Sequence, residues 1–198
     1  MSNNNFKTGR LVFVDDDFFD LVQEPYLKVN KGKGAQRPHY FAFKMNGQKD
    51  MYWVAPLTSR IAKFDEIVAK KQAQGKPTDI FFKTQVRDKD AYILFADMFP
   101  VNAKYLRAYN RDKRPMEIDP RDNSKALKEA RKVVTLLEKG VKFTRTSPDV
   151  KRITKVQIEH EKELKVERED DVMKKLQDFV EKYNIKMPDN EQNQGRKL

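Results

Sequence analysis

The sequence has no cysteine and only two histidines, His39 and His160, among its 198 residues. Without cysteine the chain has no disulfide scaffold, no cysteine-ligated zinc site, no iron–sulfur cluster and no thiol nucleophile. Two imidazoles are too few for a metal site built from histidine alone. Any chemistry is therefore left to hydroxyl, guanidinium, ammonium and imidazole groups.

Long apolar runs and the common catalytic motifs are also missing. No segment approaches the roughly 20 apolar residues of a membrane-spanning helix, and the first ten residues lack the apolar stretch of a signal peptide. The sequence contains no phosphate-binding or dinucleotide-binding glycine motif, no G-x-S-x-G and no H-E-x-x-H. We therefore expect a soluble, cytoplasmic protein that uses neither nucleotide hydrolysis, dinucleotide redox chemistry nor zinc peptidase chemistry.

The charge is abundant and mostly of one sign. Lys and Arg number 41 against 30 Asp and Glu, a net charge of +11, and charged residues make up 36% of the chain. A typical globular domain has about 25%. The 13 Phe, seven Tyr and one Trp argue for a folded body rather than a disordered chain. The surplus of positive charge favours a polyanionic partner.

Sequence patterns predict a single α+β domain over residues 1–185. Strands are expected over residues 9–120 and helices over residues 121–185, followed by a flexible tail at residues 186–198. The strand-rich part is expected to contain several antiparallel strands with one inserted helix, and additional C-terminal helices follow.

The clearest local signal is a hairpin. Residues 39–44 and 51–55 are rich in aromatic and β-branched residues, and Asn46-Gly47 between them favours a tight turn. Pro56 is expected to end the second strand.

Further helices and strands are predicted along the chain. A helix is expected over residues 59–71, because apolar residues recur there at helical spacing, and a second hairpin over residues 79–86 and 91–96. Residues 116–118 read as another strand. The charged C-terminal region predicts two helices with a break near residues 169–170.

The junction between the second strand and the inserted helix places two hydroxyls, Thr58 and Ser59, at a helix start. Unpaired N–H groups at a helix N-terminus bind phosphate well. Arg60 and Lys63 are three positions apart, so they share one face of the predicted helix near its start, and two more lysines extend that face. These are Lys70 and Lys71. The pattern predicts a phosphate-binding site, and the alternative is an ordinary helix cap with solvated basic residues.

A second basic cluster precedes the first strand of the hairpin. Lys31, Lys33 and Arg37 lead into His39 and Tyr40, and basic residues interleaved with aromatics suit single-stranded RNA. His39 is a candidate general acid or base because its ordinary pKa lies near neutrality. The alternative is a solvated loop that leads into a strand.

Three consecutive aspartates at residues 15–17 could in principle bind a divalent ion. We interpret them as the acidic first turn of a helix, where carboxylates are stabilised without any metal.

Cleavage of RNA by attack of its own 2′-OH needs no metal or cofactor. The hydroxyl, guanidinium, ammonium and imidazole groups of this sequence are therefore sufficient for that reaction.

Several segments resemble one known family in order and spacing. They are RPHYFAF at residues 37–43, YWVAPLTSR at 52–60, YILFADMFPV at 92–101 and Lys104-Tyr105. These are similar to motifs of the type III toxin–antitoxin toxins, the ToxN/AbiQ-like endoribonucleases, and most similar to the TenpN-like branch. The resemblance covers roughly residues 9–140.

The resemblance implies a compact, mostly antiparallel, barrel-like sheet core like that of the MazF and Kid toxins, with helices added. It also implies a metal-independent endoribonuclease without a cofactor. Such an enzyme cleaves single-stranded, A-rich RNA and leaves 2′,3′-cyclic phosphate and 5′-hydroxyl ends. It also implies inhibition by a small, folded, repeated RNA antitoxin in a cyclic or chain-like protein–RNA assembly. Systems of this kind limit bacterial growth and abort phage infection.

The family's active-site hydroxyls correspond to Thr58 and Ser59. A family lysine two positions past that serine is replaced by Ile61, so Arg60 or Lys63 would have to supply its charge. A second family lysine falls near residues 37–39, and a tyrosine of the first helix is replaced by phenylalanine at position 18 or 19. His39 or Tyr40 is then a candidate for proton transfer. The alternative function is a non-catalytic, basic RNA-binding module.

Overall fold

The computed structural model describes residues 6–28, 30 and 36–183, and this part of the chain contains nine strands and four α-helices. The strands are β1 Leu11–Val14, β2 His39–Lys44, β3 Met51–Thr58, β4 Phe81–Val86, β5 Lys89–Leu94, β6 Phe99–Asn102, β7 Leu106–Ala108, β8 Asn110–Arg111 and β9 Arg114–Pro115. The helices are α1 Asp16–Val22, α2 Ile61–Ala73, α3 Pro120–Glu138 and α4 Val150–Tyr183.

The strands form one antiparallel sheet of seven strands with the order β4-β5-β3-β2-β1-β7, and β6 also pairs with β3. Strands β8 and β9 form a separate two-stranded ribbon. The sheet confirms the predicted α+β class, and both predicted hairpins, β2–β3 and β4–β5, are present.

Strand β3 is longer than predicted and runs through Pro56 to Thr58. One edge of β3 pairs with β6 over residues 51–54 and with β5 over residues 57–58. Pro56 lies between these two segments. The next backbone N–H group, that of Leu57, faces the opposite edge and donates to the carbonyl oxygen of Pro38, the residue before β2. The missing N–H of proline therefore falls in the gap between β6 and β5, where no ladder bond is lost.

Helices cover both faces of the sheet. On one face, Tyr40 and Trp53 pack in a core cluster with the apolar side of α3, which includes Ala126, Val133 and Leu137. On the other face, a second cluster joins sheet residues to α1 and to the start of α4, through residues that include Phe18 and Ile153. Because both faces are covered, inward-facing residues of β2 and β3 have no access to solvent.

Two predicted features in the second half of the chain were wrong. Residues 116–118 form no strand, since only an isolated bridge joins Glu117 to Arg10. The predicted break near residues 169–170 is absent, and α4 is one continuous helix of 34 residues. Consecutive charged residues with good helix propensity sustain it without a Gly or Pro to interrupt it.

The chain divides into two compact units, residues 1–157 and 158–198. The first contains the sheet, α1, α2 and α3. The described part of the second is helical and exposes Val172, Met173, Leu176, Phe179 and Tyr183. The single-domain boundary at residue 185 stays a prediction, and the predicted tail at 186–198 lies outside the described residues. In the described part of the chain, no helix is long and apolar enough to cross a membrane.

Candidate functional site

The junction between β3 and α2 is open at its surface. Thr58 ends β3 and is half-buried, whereas Ser59 and Arg60 are exposed. The Oγ1 atom of Thr58 accepts a 3.3 Å hydrogen bond from the backbone N–H of Arg60. The two hydroxyl-bearing residues predicted from the sequence therefore both lie directly before the start of α2.

Helix α2 begins at Ile61 without a capping side chain. Its N-cap residue is Arg60, which makes no side-chain cap hydrogen bond in the described structure, and the first turn contains no acidic residue. Unpaired N–H groups at the start of a 13-residue helix favour an anion. The start of α2 therefore has the unpaired N–H groups on which the predicted phosphate-binding site depends.

Arg37 also reaches this junction. Its Nη1 atom donates a 3.1 Å hydrogen bond to the carbonyl oxygen of Leu57, and its backbone N–H donates to the side chain of Asn30 at 2.9 Å. Burial lowers the pKa of the half-buried Arg37, the positive charge of Arg60 lowers it further, and Asp97 opposes both effects. The two positive guanidinium groups repel each other beside a pair of hydroxyl-bearing residues. A bound phosphate would offset this repulsion through charge-assisted hydrogen bonds.

Asp97 balances part of this positive charge. Its carboxylate is mostly buried and lies 3.8 Å from the Nζ atom of Lys28. Burial raises the pKa of Asp97, while Lys28 and Arg37 lower it. Sequence reasoning included Asp97 only within a family-like segment and gave it no role, because its position beside Arg37 depends on the tertiary fold.

The structure corrects the roles predicted for His39 and Tyr40. His39 is fully buried against the ring of Phe99, and burial, followed by the charge of Arg37, lowers its pKa to about 3. A neutral, inaccessible imidazole does not donate protons to a substrate at neutral pH. Tyr40 is also buried, its hydroxyl bonds to Asn123 at 3.1 Å, and burial raises its pKa. Its ring therefore does not stack on bases.

The remaining predicted basic residues lie along α2 or outside the described residues. Lys63 is exposed in the first turn, whereas Lys70 and Lys71 occupy the last turn. At 1.5 Å per residue, Lys70 is about 15 Å along the helix from Arg60. These lysines extend the basic surface but do not join Ser59 at the junction. Lys31 and Lys33 lie outside the described residues.

Helix α2 is fixed to the sheet by a few surface contacts. None of its thirteen residues, all of them described, is buried. The ring of Phe64 lies 5.5 Å from that of Phe81 and 5.6 Å from that of Tyr92. Asp65 accepts hydrogen bonds from the hydroxyl of Tyr92 at 2.7 Å and from Nζ of Lys83 at 2.9 Å. Sequence reasoning gave none of Asp65, Lys83 and Tyr92 a role, and only Tyr92 lies in a family-like segment.

The aspartates at residues 15–17 form the start of α1, as predicted. Asp15 makes an ion pair with Arg107, and Asp16 accepts a 2.7 Å hydrogen bond from the side chain of Asn30. Within the described ranges, no three His, Asp or Glu side chains come together in a metal-binding arrangement.

Solved structures with a similar fold include three from type III toxin–antitoxin or antiviral systems. One comes from a bacterial type III toxin–antitoxin system with selective toxin inhibition by a non-coding RNA pseudoknot. It has a TM-score of 0.55 and 15% identity, and the match covers 78% of this chain and 99% of that chain. The second is AbiQ, a lactococcal anti-phage endoribonuclease of the type III system, with a TM-score of 0.54, 16% identity and coverage of 78% and 99%.

The third comes from a bacterial antiviral system that a processed non-coding RNA regulates. Its TM-score is 0.50, its identity is 12%, and the match covers 74% of this chain and 95% of that chain. No protein-family model and no curated protein matches the sequence. The chain therefore has the fold of type III toxin–antitoxin toxins, and the fold implied by the sequence resemblance is confirmed.

Proposed function

We propose that this chain is the endoribonuclease toxin of a type III toxin–antitoxin system and that it cleaves single-stranded RNA at the β3–α2 junction. One observation carries the proposal: the guanidinium groups of Arg37 and Arg60 are close enough for their positive charges to interact, and both residues lie next to Thr58 and Ser59. The shared fold supports it, since AbiQ is an endoribonuclease of this system.

In the proposed complex a backbone phosphate of RNA binds between the two guanidinium groups and the start of α2. Arg37 is held in place by its bond to the carbonyl oxygen of Leu57, so little reorganisation accompanies binding. Arg60 and the first N–H groups of α2 face the same junction. Preorganised donors of this kind stabilise the extra negative charge of a phosphorane more than the charge of the ground state.

The proposed reaction is attack of the RNA's 2′-oxygen on the adjacent phosphorus. The 2′-O–P bond forms as the P–O5′ bond breaks, the 2′-hydroxyl loses its proton, and the leaving 5′-oxygen gains one. The products are a 2′,3′-cyclic phosphate and a 5′-hydroxyl. With His39 and Tyr40 buried, the groups available for the proton steps are Lys63 and the Thr58–Ser59 hydroxyls, and no metal is needed.

The same positive junction is suited to inhibition by RNA. In the first similar structure's system a pseudoknot RNA inhibits the toxin. We propose that a folded, repeated antitoxin RNA occupies the junction of this chain and blocks substrate, in a cyclic or chain-like assembly. Release of the toxin would then limit growth and phage propagation. A-rich RNA remains the proposed substrate.

The experiment is cleavage of A-rich single-stranded RNA in EDTA, with analysis of the fragment ends. Wild type should give 2′,3′-cyclic phosphate ends, and Ser59→Ala should give at least about 100-fold less product if this hydroxyl acts on the transition state. Thr146→Ala removes an exposed hydroxyl on the loop between α3 and α4 and should retain full activity. Activity that requires added metal, or a fully active Ser59→Ala variant, would refute the proposed mechanism.

A second candidate function is a non-catalytic RNA-binding module. The burial of His39 and Tyr40 favours it, because both predicted proton-transfer residues are removed from the surface. Intact RNA whose migration on a native gel is nevertheless shifted by the protein would support this function over the endoribonuclease.

A further inference from the structure

A local surplus of positive charge lies on α3 and the loop after it. Residues 121–145 contain eight Lys or Arg and three Asp or Glu, a surplus of five within the chain's +11. Helix α2, at the candidate site, contains three Lys and two acids, a surplus of one. The proposed catalytic junction therefore does not account for most of the net charge.

The cations of α3 lie on its outward side. The helix packs its apolar side, including Ala126, Ala130 and Val133, into the core. At 100° per residue, the five cations of α3 fall within an arc of about 120° on the opposite side. These five residues are Arg121, Lys125, Lys128, Arg131 and Lys132.

Three of these cations lack an acidic partner, and two of the three rest on aromatic rings. Lys125 Nζ lies 5.9 Å from the ring centre of Phe82, and Arg131 Cζ lies 5.0 Å from that of Phe43. Within the described part of the chain, no carboxylate lies within ion-pair distance of Lys125, Lys128 or Arg131. The ring contacts limit the freedom of two side chains while leaving their charges available.

A shallow groove of about 490 Å³ runs along the same face. The hydroxyls of Ser124 and Thr135 line it together with Leu127 and three of the cations. Helix α3 has no aromatic residue. The rings of Phe82 and Phe43 beside this face lie under Lys125 and Arg131. A surface of cations and hydroxyls on a helix without aromatic residues fits the sugar–phosphate backbone of a double helix, whereas single-strand binding relies on stacking of bases on aromatic side chains.

We propose that the outward face of α3 binds double-helical RNA through its phosphates and 2′-hydroxyls, independently of base sequence. The identification of the polyanion as RNA rests on the proposed function, but the surface is separate from the β3–α2 junction. Lys125, Lys128 and Arg131 contact phosphates, and Ser124 and Thr135 serve as hydroxyl partners in the groove. The chain would then hold the base-paired part of a folded RNA on one surface and a single strand at the other.

The test compares two variants that remove the same charge at the same helical spacing. Lys125→Gln/Lys128→Gln/Arg131→Gln changes α3, and Lys162→Gln/Lys165→Gln/Arg168→Gln changes exposed residues of α4. Both are made in a Ser59→Ala background to prevent cleavage, and circular dichroism verifies folding. The probes are a perfectly paired RNA hairpin and an unstructured RNA of equal length, measured over a range of salt concentrations.

The α3 variant should bind the hairpin at least tenfold more weakly, and its log–log salt slope should be shallower by about 2 to 3, as expected when three phosphate contacts are lost. Its affinity for the unstructured RNA should change less than about twofold, and the α4 variant should retain hairpin affinity. Unchanged hairpin binding by the α3 variant, or an equal loss in the α4 variant, would overturn the proposal. Binding to anionic lipid vesicles but not to the hairpin would also overturn it.

Failure of the proposed function has a different signature. If wild type cleaves no RNA, the endoribonuclease proposal fails, and the hairpin measurement still decides the role of α3. With Ser59 intact, the α3 variant should cleave unstructured RNA at the wild-type rate.

Discussion

The hydroxyl of Tyr92 donates a 2.7 Å hydrogen bond to Oδ1 of Asp65, and this bond joins strand β5 to the second turn of helix α2. Tyr92 is also the cross-strand partner of Thr58, the last residue of β3. A single tyrosine therefore borders the hydroxyl pair and holds the helix whose N-terminus faces it. Because α2 buries no residue, few other contacts hold this helix against the sheet.

Replacing Tyr92 by phenylalanine should loosen α2 without unfolding the sheet. The ring contact with Phe64 is retained, but the bond to Asp65 is lost. Amide protons of α2 should exchange about fivefold faster, as expected for the loss of one typical hydrogen bond. RNA cleavage should fall in parallel. Tyr52→Phe, at a half-buried tyrosine of β3, serves as the control, and unchanged exchange in α2 would contradict the assigned role.

Arg37→Lys tests whether the shape of the guanidinium matters at the junction. Lysine keeps the charge, but it lacks the planar fork that bonds to Leu57 while leaving other N–H groups for a phosphate. We expect kcat/KM for single-stranded RNA to fall by about 10- to 100-fold. Arg111→Lys on the exposed β8–β9 ribbon should leave it unchanged. Equal activity of the Arg37→Lys and Arg111→Lys variants would rule out a specific role for Arg37.

Gly9 is a position where the backbone and the packing both require glycine. Its φ is +93°, and an added Cβ atom would lie 2.8 Å from Cγ of Asn123, the residue that bonds to Tyr40. Gly9→Ala should therefore reduce the free energy of unfolding by about 2 to 3 kcal/mol.

The matched control is Gly47→Ala. Gly47 also has a positive φ, +71°, but no described atom lies within 4 Å of its added Cβ. Only the backbone strain remains, so about 1 kcal/mol should be lost. Chemical denaturation of both variants separates the two contributions, and equal losses would show that the contact with Asn123 has no energetic effect.

Local patterns were sufficient to predict the hairpins and α2. The Asn46-Gly47 turn and the flanking aromatic strands depend on neighbouring residues only, and so does the spacing of apolar residues in α2. The continuation of strand β3 through Pro56 could not be predicted from local sequence. It depends on the gap between β5 and β6, two strands that lie about 40 positions further along the chain.

The candidate site was predictable only in part, for a similar reason. Thr58, Ser59 and Arg60 are adjacent in sequence, so a strand-to-helix junction brings them together by itself. The sequence favours an RNA-binding position for His39 and Tyr40 because both follow a basic cluster, and that cluster says nothing about which elements cover the strand. Here α1 and α3 cover opposite faces, which buries both residues. The contribution of Asp97 required the fold.

The buried imidazole of His39 should make the protein less stable in mild acid. Its pKa is about 3 in the folded chain, against an ordinary 6.5. Above pH 6.5 the imidazole is neutral in both states and has no effect. As the pH falls below 6.5, the unfolded chain binds a proton that the folded chain does not, so stability decreases toward pH 3.

His39→Phe removes this proton uptake and keeps an aromatic ring against Phe99. Between pH 7 and pH 5, wild type should lose about 2 kcal/mol more than the variant, because each pH unit well below 6.5 costs about 1.4 kcal/mol. Urea unfolding at the two pH values measures the difference, and carboxylates contribute equally to both proteins. His160→Phe should follow wild type, since that residue lies on α4 with part of its side chain exposed. If the His39→Phe variant and wild type lose the same stability, His39 is protonated in the folded state and is accessible to solvent after all.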